Sequence, residues 1–194
     1  MPLNSTSLVS PPAPVLMEHC CRKPWETYLE PLRMAPGVWY VSGNNWVACY
    51  LIDTGDGLIL IDTAMHETAY LMIENIHKLG YQLTDIKKIL LSHAHIDHIG
   101  AARTMKELTG AKIYLGERDL PFLHERRDLI MNEGGYTCGE FEPDVIYSDD
   151  TPIVQGNVTI RTVSTPGHTP GCTSFFFDVQ DKDGKVLSTD ISNV

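Results

Sequence analysis

The chain has 194 residues, 43% of them hydrophobic and 21% charged, with a formal net charge of −10. That is the length and balance of one globular domain with room for a sizeable core. The acidic surplus argues against a polyanionic partner such as nucleic acid, because binding a phosphate backbone rests on basic surface; no apolar run approaches the length of a membrane span.

In chain order, residues 1–14 carry neither a basic leader nor a long apolar segment, so they do not read as a signal peptide. Ser10-Pro11-Pro12-Ala13-Pro14 reads as an extended arm, and residues 1–36 are assigned to that arm, with the folded domain over 37–194. Five cysteines (Cys20, Cys21, Cys49, Cys138, Cys172) are odd in number and scattered, which does not suggest a disulfide framework. The cytoplasm is the compartment expected, although a mature secreted or periplasmic form would share this composition.

Strands are expected over residues 38–41, 47–52 and 58–61, the last two joined by the hairpin signal Thr54-Gly55-Asp56-Gly57. A helix follows with Ala69, Met72, Ile73, Ile76 and Leu79 on one face and Gly80 as its stop. The apolar stretch at 89–91 reads as a buried strand, residues 100–108 as a helix closed by Gly110, and 112–115 as another strand. Residues 117–125 read as helical and the polar 126–141 as a loop near the site. A second strand-rich block is expected from Asp144, with strands at 158–163, 173–179 and 185–188 and an Asp183-Gly184 turn.

Between the strand at 89–91 and the helix at 100–108 lies His93-Ala94-His95-Ile96-Asp97-His98. Histidine and carboxylate are the nitrogen and oxygen donors zinc prefers, and a catalytic zinc keeps one position open for water. The run would sit at the carboxyl end of a strand, where open α/β sheets bind their ligands. In an extended segment His93 and His95 share a face; spacing alone does not assign either to a particular ion.

His-Ala-His-Ile-Asp-His resembles the signature of the metallo-β-lactamase superfamily. The strand pair at 50–63 and the loop Thr165-Pro166-Gly167-His168-Thr169-Pro170-Gly171 are similar to further family motifs in the expected order. Leu91-Ser92-His93-Ala94-His95, Thr109-Gly110-Ala111-Lys112 and Gly171-Cys172-Thr173 resemble the third subclass of zinc β-lactamases in particular. The resemblance implies an αββα four-layer sandwich with a binuclear metal site between the sheets. It implies that His93, His95 and His168 hold a first zinc, and that Asp97 and His98 belong to a second. It also places Asp190 where related thioester and lactone hydrolases carry a metal-bridging aspartate; an exposed acid after a strand is the alternative. Asp62 is implied as a carboxylate beneath the site that orients a ligand imidazole, with an N-cap for a helix near His66 as the alternative. His19, His66, His77 and His124 lack any such context and read as surface or helix-face residues.

Zinc lowers the pKa of its bound water to about 7 and polarises a carbonyl, so the expected activity is hydrolysis of an amide or ester, β-lactamase-like, with Asp97 orienting the water and relaying its proton. Alternatives are a lactone or thioester hydrolase, an iron oxidoreductase on the same scaffold, and a non-catalytic metal-binding module. No Gly-x-Ser-x-Gly elbow supports a serine hydrolase. The expected partner is a small-molecule substrate, with neither nucleic acid nor a membrane. Relative to the family pattern the chain is expected to be incomplete at its carboxyl end. One ligand histidine and the last strands and helix would then be missing, leaving a sheet edge and face open to self-association.

Overall fold

The computed structural model describes residues 23–130, 136–149 and 151–192. Most of the expected arm, with Cys20 and Cys21, lies outside these residues, as does the middle of the 126–141 loop.

A seven-stranded sheet runs in sequence order: β1 (Leu32–Ala35), β2 (Val38–Tyr40), β3 (Tyr50–Asp53), β4 (Leu58–Ile61), β5 (Ile86–Leu91), β6 (Lys112–Gly116) and β7 (Val145–Tyr147). The first four strands pair antiparallel; β4 through β7 pair parallel. A four-stranded antiparallel sheet holds β8 (Ile153–Gln155), β9 (Val158–Ser164), β10 (Thr173–Gln180) and β11 (Val186–Ser192). Helices α1 (Ala69–Lys78), α2 (Ile96–Ile99), α3 (Ala102–Thr109) and α4 (Leu120–His124) follow β4, β5 and β6.

Residues of β4 are buried on both faces, as expected of a strand inside a covered sheet. Leu58 and Leu60 join a core with Met72 and Ile76 of α1 and Met105 of α3. Ile59 and Ile61 point the other way, into a second core with Phe175, Phe177 and Ile191 of the second sheet. The layers are therefore helix, sheet, sheet, the mixed α/β arrangement expected. Among the described residues no helix covers the outer face of the second sheet, where Val154 is 57% and Val186 52% exposed. Nor is any helix among them long and apolar enough to cross a membrane.

Three expectations change. The fold reaches further toward the amino terminus than residue 37: β1 pairs with β2 through a turn where Gly37 takes φ +71°, and Asn75 of α1 donates to Leu29 O at 3.0 Å. Leu32 and Met34 remain 60% and 54% exposed, so this edge strand has no inward apolar face for periodicity to find. β7 belongs to the first sheet, not to the second block: Asp144 donates to Ile113 O and accepts from Ile113 N, both at 2.8 Å, which docks β7 beside β6. Finally, β3 begins at Tyr50, because residues 42–47 form a tight loop.

Candidate metal centre

Three adjacent parallel strands end at the same place. Asp62 follows β4, Ser92 and His93 follow β5, and Asp119 lies three residues past the end of β6. The carboxyl edge of the parallel strands thus supplies the site, as the sheet rule leads one to expect. After His95 the chain turns directly into α2, where His98 N and Ile99 N both donate to His95 O, at 2.9 and 3.0 Å. That turn swings Asp97 and His98 back toward His93. Gly100 closes it tightly: a Cβ there would lie 2.9 Å from Met65 Cα.

Potential ligand atoms gather in two groups, His93–His95–His168 and His93–Asp97–His98, with His93 common to both. His95 and His168 fall in one group, Asp97 and His98 in the other. His93 is fully buried, His95 6% and His98 7% exposed, while His168 stands on an exposed turn between β9 and β10. His95 Nδ1 lies 2.8 Å from His168 Nε2. The His93 ring centroid is 3.9 Å from that of His98 and 4.9 Å from those of His95 and His168.

Asp62 lies beneath the cluster, in contact with one of its imidazoles. It accepts from Ser92 N and Ser92 Oγ, both at 2.7 Å, and contacts His98 Nδ1 at 2.8 Å, wholly buried. It caps no helix; the short 3-10 turn at His66–Thr68 is preceded by Met65. Burial, the largest single influence, would raise the Asp62 pKa, but His98, His93 and the Ser92 N–H together outweigh it and the net direction is down. Burial likewise opposes a charged His98, yet the Asp62 carboxylate carries its pKa upward. His93 moves oppositely: burial, reinforced by His98, pushes it down to about 3, and His95 is lowered by burial and His168.

These directions bear on whether the cluster fits a metal. Neutral imidazoles offer the lone pairs that metals bind. His93 Nδ1 lies 3.2 Å from Ser92 Oγ, while its buried Nε2 has no hydrogen-bond partner among the described residues. A buried polar atom without a partner is costly, and an ion shared with His95 and His168 would satisfy it. The donors present fit zinc.

Asp190 is not brought to the cluster. Phe175 of β10 pairs with Ile191, and both face the inter-sheet core; Asp190 is one residue earlier, opposite Phe176, on the exposed outer face. It belongs to neither ligand group. Side chains alternate along a strand, so one step of register separates an inward position from this one.

Two residues of the site carry no motif. Trp46 Nε1 donates to Asp97 Oδ2 at 3.0 Å. Its loop is fixed by Asn44 Oδ1, which accepts from Trp46 N at 2.9 Å and Val47 N at 3.1 Å, and by Gly43, whose Cβ would meet Leu71 Cβ at 2.7 Å. Trp46 also walls a groove of about 520 Å³ that includes Leu29, Leu32 and Met34. The second is Asp119, whose only advance signal is its place just past the end of a parallel strand.

Residues 46–187 match the model of the metallo-beta-lactamase superfamily. The chain belongs to that superfamily. Among solved structures it resembles BJP-1, a subclass B3 metallo-beta-lactamase of Bradyrhizobium japonicum, at 34% identity and a TM-score of 0.76 over 88% of this chain and 64% of that one. Curated relatives include the Bacillus subtilis protein YobT, 31% identical over 74% of this chain and 61% of that protein. They also include the N-acyl homoserine lactonase AiiA of Bacillus thuringiensis subsp. kurstaki, 25% identical over 77% of this chain and 65% of the lactonase. The chain thus spans somewhat under two thirds of the length of these relatives. The β-lactamase and the lactonase are hydrolases, whereas YobT is uncharacterized, and the likeness to the third subclass rests on more than short motifs.

Proposed function

We propose that the protein is a zinc-dependent hydrolase of small carbonyl compounds, with the amide of a β-lactam as its substrate class. The observation that carries this reading is His93, buried and held neutral, with an unpartnered Nε2 where the two ligand groups meet. The fit to a subclass B3 β-lactamase over 88% of the chain supports the β-lactam choice.

His93, His95 and His168 would hold one zinc, and Asp97 and His98, with His93 adjoining, a second. When bound, zinc supplies a Lewis acid for the carbonyl oxygen and a water of lowered pKa. The chain's own groups do the rest. Asp62 holds His98 by Nδ1, which leaves Nε2 free, 3.6 Å from Asp97 Oδ2. Trp46 occupies that same Asp97 oxygen, so the carboxylate stays oriented and can accept a proton at its other oxygen. The partner is a small molecule; an acidic chain of net charge −10 is poorly suited to nucleic acid.

The test is a panel of nitrocefin, an N-acyl homoserine lactone and a glutathione thioester, run on zinc-loaded protein, on chelated protein and on His95→Ala. Nitrocefin turnover that falls at least about a hundredfold on chelation and in the variant is the expected result. Turnover of the lactone alone would replace the β-lactam reading, and unchanged turnover after chelation would overturn the zinc reading. A lactone substrate would draw on a bridging Asp190, and that side chain lies on the exposed face of β11.

A further inference from the structure

Asp119 is a wholly buried carboxylate with no ion pair to lysine or arginine within 4.0 Å among the described residues. A charge in that position is unfavourable unless its oxygens are fully engaged. They are: Oδ2 accepts from Ala94 N at 2.9 Å and from Thr169 Oγ1 at 2.8 Å, and Oδ1 accepts from Gly171 N at 2.7 Å. The positions of the three donors matter. Ala94 stands between His93 and His95; Thr169 follows His168 directly, and Gly171 closes the same turn. One side chain therefore joins a loop of the first sheet to a turn of the second.

The contact is built into the sequence on both sides. A Cβ on Gly171 would sit 2.5 Å from Asp119 Cγ, so only glycine lets the turn come this close. Thr169 is fixed in addition by Cys172, whose Sγ accepts from Thr169 N at 3.2 Å. Asp62, the other buried carboxylate of the site, accepts from Ser92 and contacts His98.

We propose that Asp119 is a positioning residue for the His93–His95–His168 triad, setting its metal affinity by clamping the exposed His168 turn onto the His93–His95 loop. This rests on the zinc reading above. It goes beyond it by assigning the two metal positions to separate carboxylate supports: Asp119 for the triad, Asp62 for the Asp97–His98 side. His168 is the one ligand the first sheet does not carry, so its distance from His95 is set by whatever joins the sheets. Thr173 N, which donates to Ser92 O at 3.0 Å, contributes a further tie but lies five residues beyond His168.

The test uses Asp119→Asn, which keeps the shape but replaces one acceptor oxygen by a donor facing a donor. Zinc affinity and stoichiometry are titrated against a competing chelator, and cobalt(II)-substituted protein is followed by its visible absorption. The expected result is a fall of about 10- to 100-fold in affinity for one equivalent, as for other groups that support ligands. The second equivalent should be unchanged, and the cobalt spectrum altered for the weakened site alone. Thr169→Val, which removes one donor and keeps the carboxylate, should give a smaller loss at the same site. It also serves as the measurement if Asp119→Asn does not fold. Wild-type affinities at both sites in the folded variant, or equal weakening of both, would overturn the assignment. Failure of the wild-type protein to bind zinc would instead overturn the reading on which it rests.

Discussion

His93, His95 and His98 arise from a segment framed by strands and helices buried on both sides, whereas His168 arises from an exposed turn of the second sheet. The first three are fixed from within the first sheet: Ser92 next door, the α2 turn, and Asp62 at the end of the adjoining strand. The fourth comes from a turn held across the sheets by contacts that span 50 residues or more. A site built this way has one preformed half and one docked half. Energetic damage should differ accordingly: loss of support in the preformed half should cost folding stability, and loss in the docked half should cost metal affinity first.

The largest expected effect is in the preformed half. Asp62→Ala would leave Ser92 N, Ser92 Oγ and the His98 imidazole without their acceptor in a fully buried place. Removing one member of a buried charged pair costs about 3–5 kcal/mol. Urea unfolding of metal-free protein should show that loss, and the His93–Asp97–His98 group should fail with it. A loss under about 1 kcal/mol would mean that packing alone holds this half, and the comparison with the docked half would collapse.

How much of this could be read from the sequence follows the same division. The strands at 58–61 and 89–91, the Gly80 and Gly110 stops and the His93–His98 run are local signals: an apolar stretch, a left-handed glycine, closely spaced donors. Both glycines adopt positive φ as expected, +89° and +71°. What was illegible is non-local. Nothing near Asp144 announces that it docks β7 onto β6, and β1 has no inward apolar face to betray it. Motif order brings Asp190 near the site but does not fix register to one residue, and the pairing of Phe175 with Ile191 turns it outward. Trp46 and Asp119 act across 51 and 25 residues, and their roles exist only once the chain has folded.

A smaller effect is expected where the preformed half meets solvent. Trp46→Phe keeps most of the ring that walls the groove but removes the N–H donor to Asp97. The bond is partly buried, so about 1 kcal/mol of orientation is at stake, or roughly a fivefold fall in kcat. Zinc stoichiometry and unfolding midpoint should stay unchanged. A large drop in stability would show that the indole acts as core and not as a guide for Asp97, and would extend the preformed half out to residue 46.

The smallest effect separates buried carboxylate clamps from one in reach of water. Asp144 does for β7 what Asp119 does for the His168 turn: it accepts from Ile113 N at 2.8 Å and pairs with Lys106 Nζ at 2.7 Å, but its side chain is 32% exposed. Burial, the largest single influence, raises the Asp144 pKa, but the Lys106 hydrogen bond, the Ile113 N–H and the charges of Lys106 and Lys112 together reverse this, so the folded value lies below the ordinary one. A carboxylate with a lowered folded pKa contributes stability above its unfolded pKa of about 4, and that contribution is lost as pH falls through the folded value. Water and salt screen the pair, so it is worth under about 1 kcal/mol. Lys106→Met should therefore lower the urea midpoint slightly at pH 7. The difference from wild type should shrink below about pH 4, and shrink at pH 7 in about 1 M salt. A difference that persists unchanged under both conditions would assign the Lys106 contribution to its aliphatic stem. Asp144 would then clamp β7 through Ile113 alone, much as Asp119 holds its turn without any lysine or arginine.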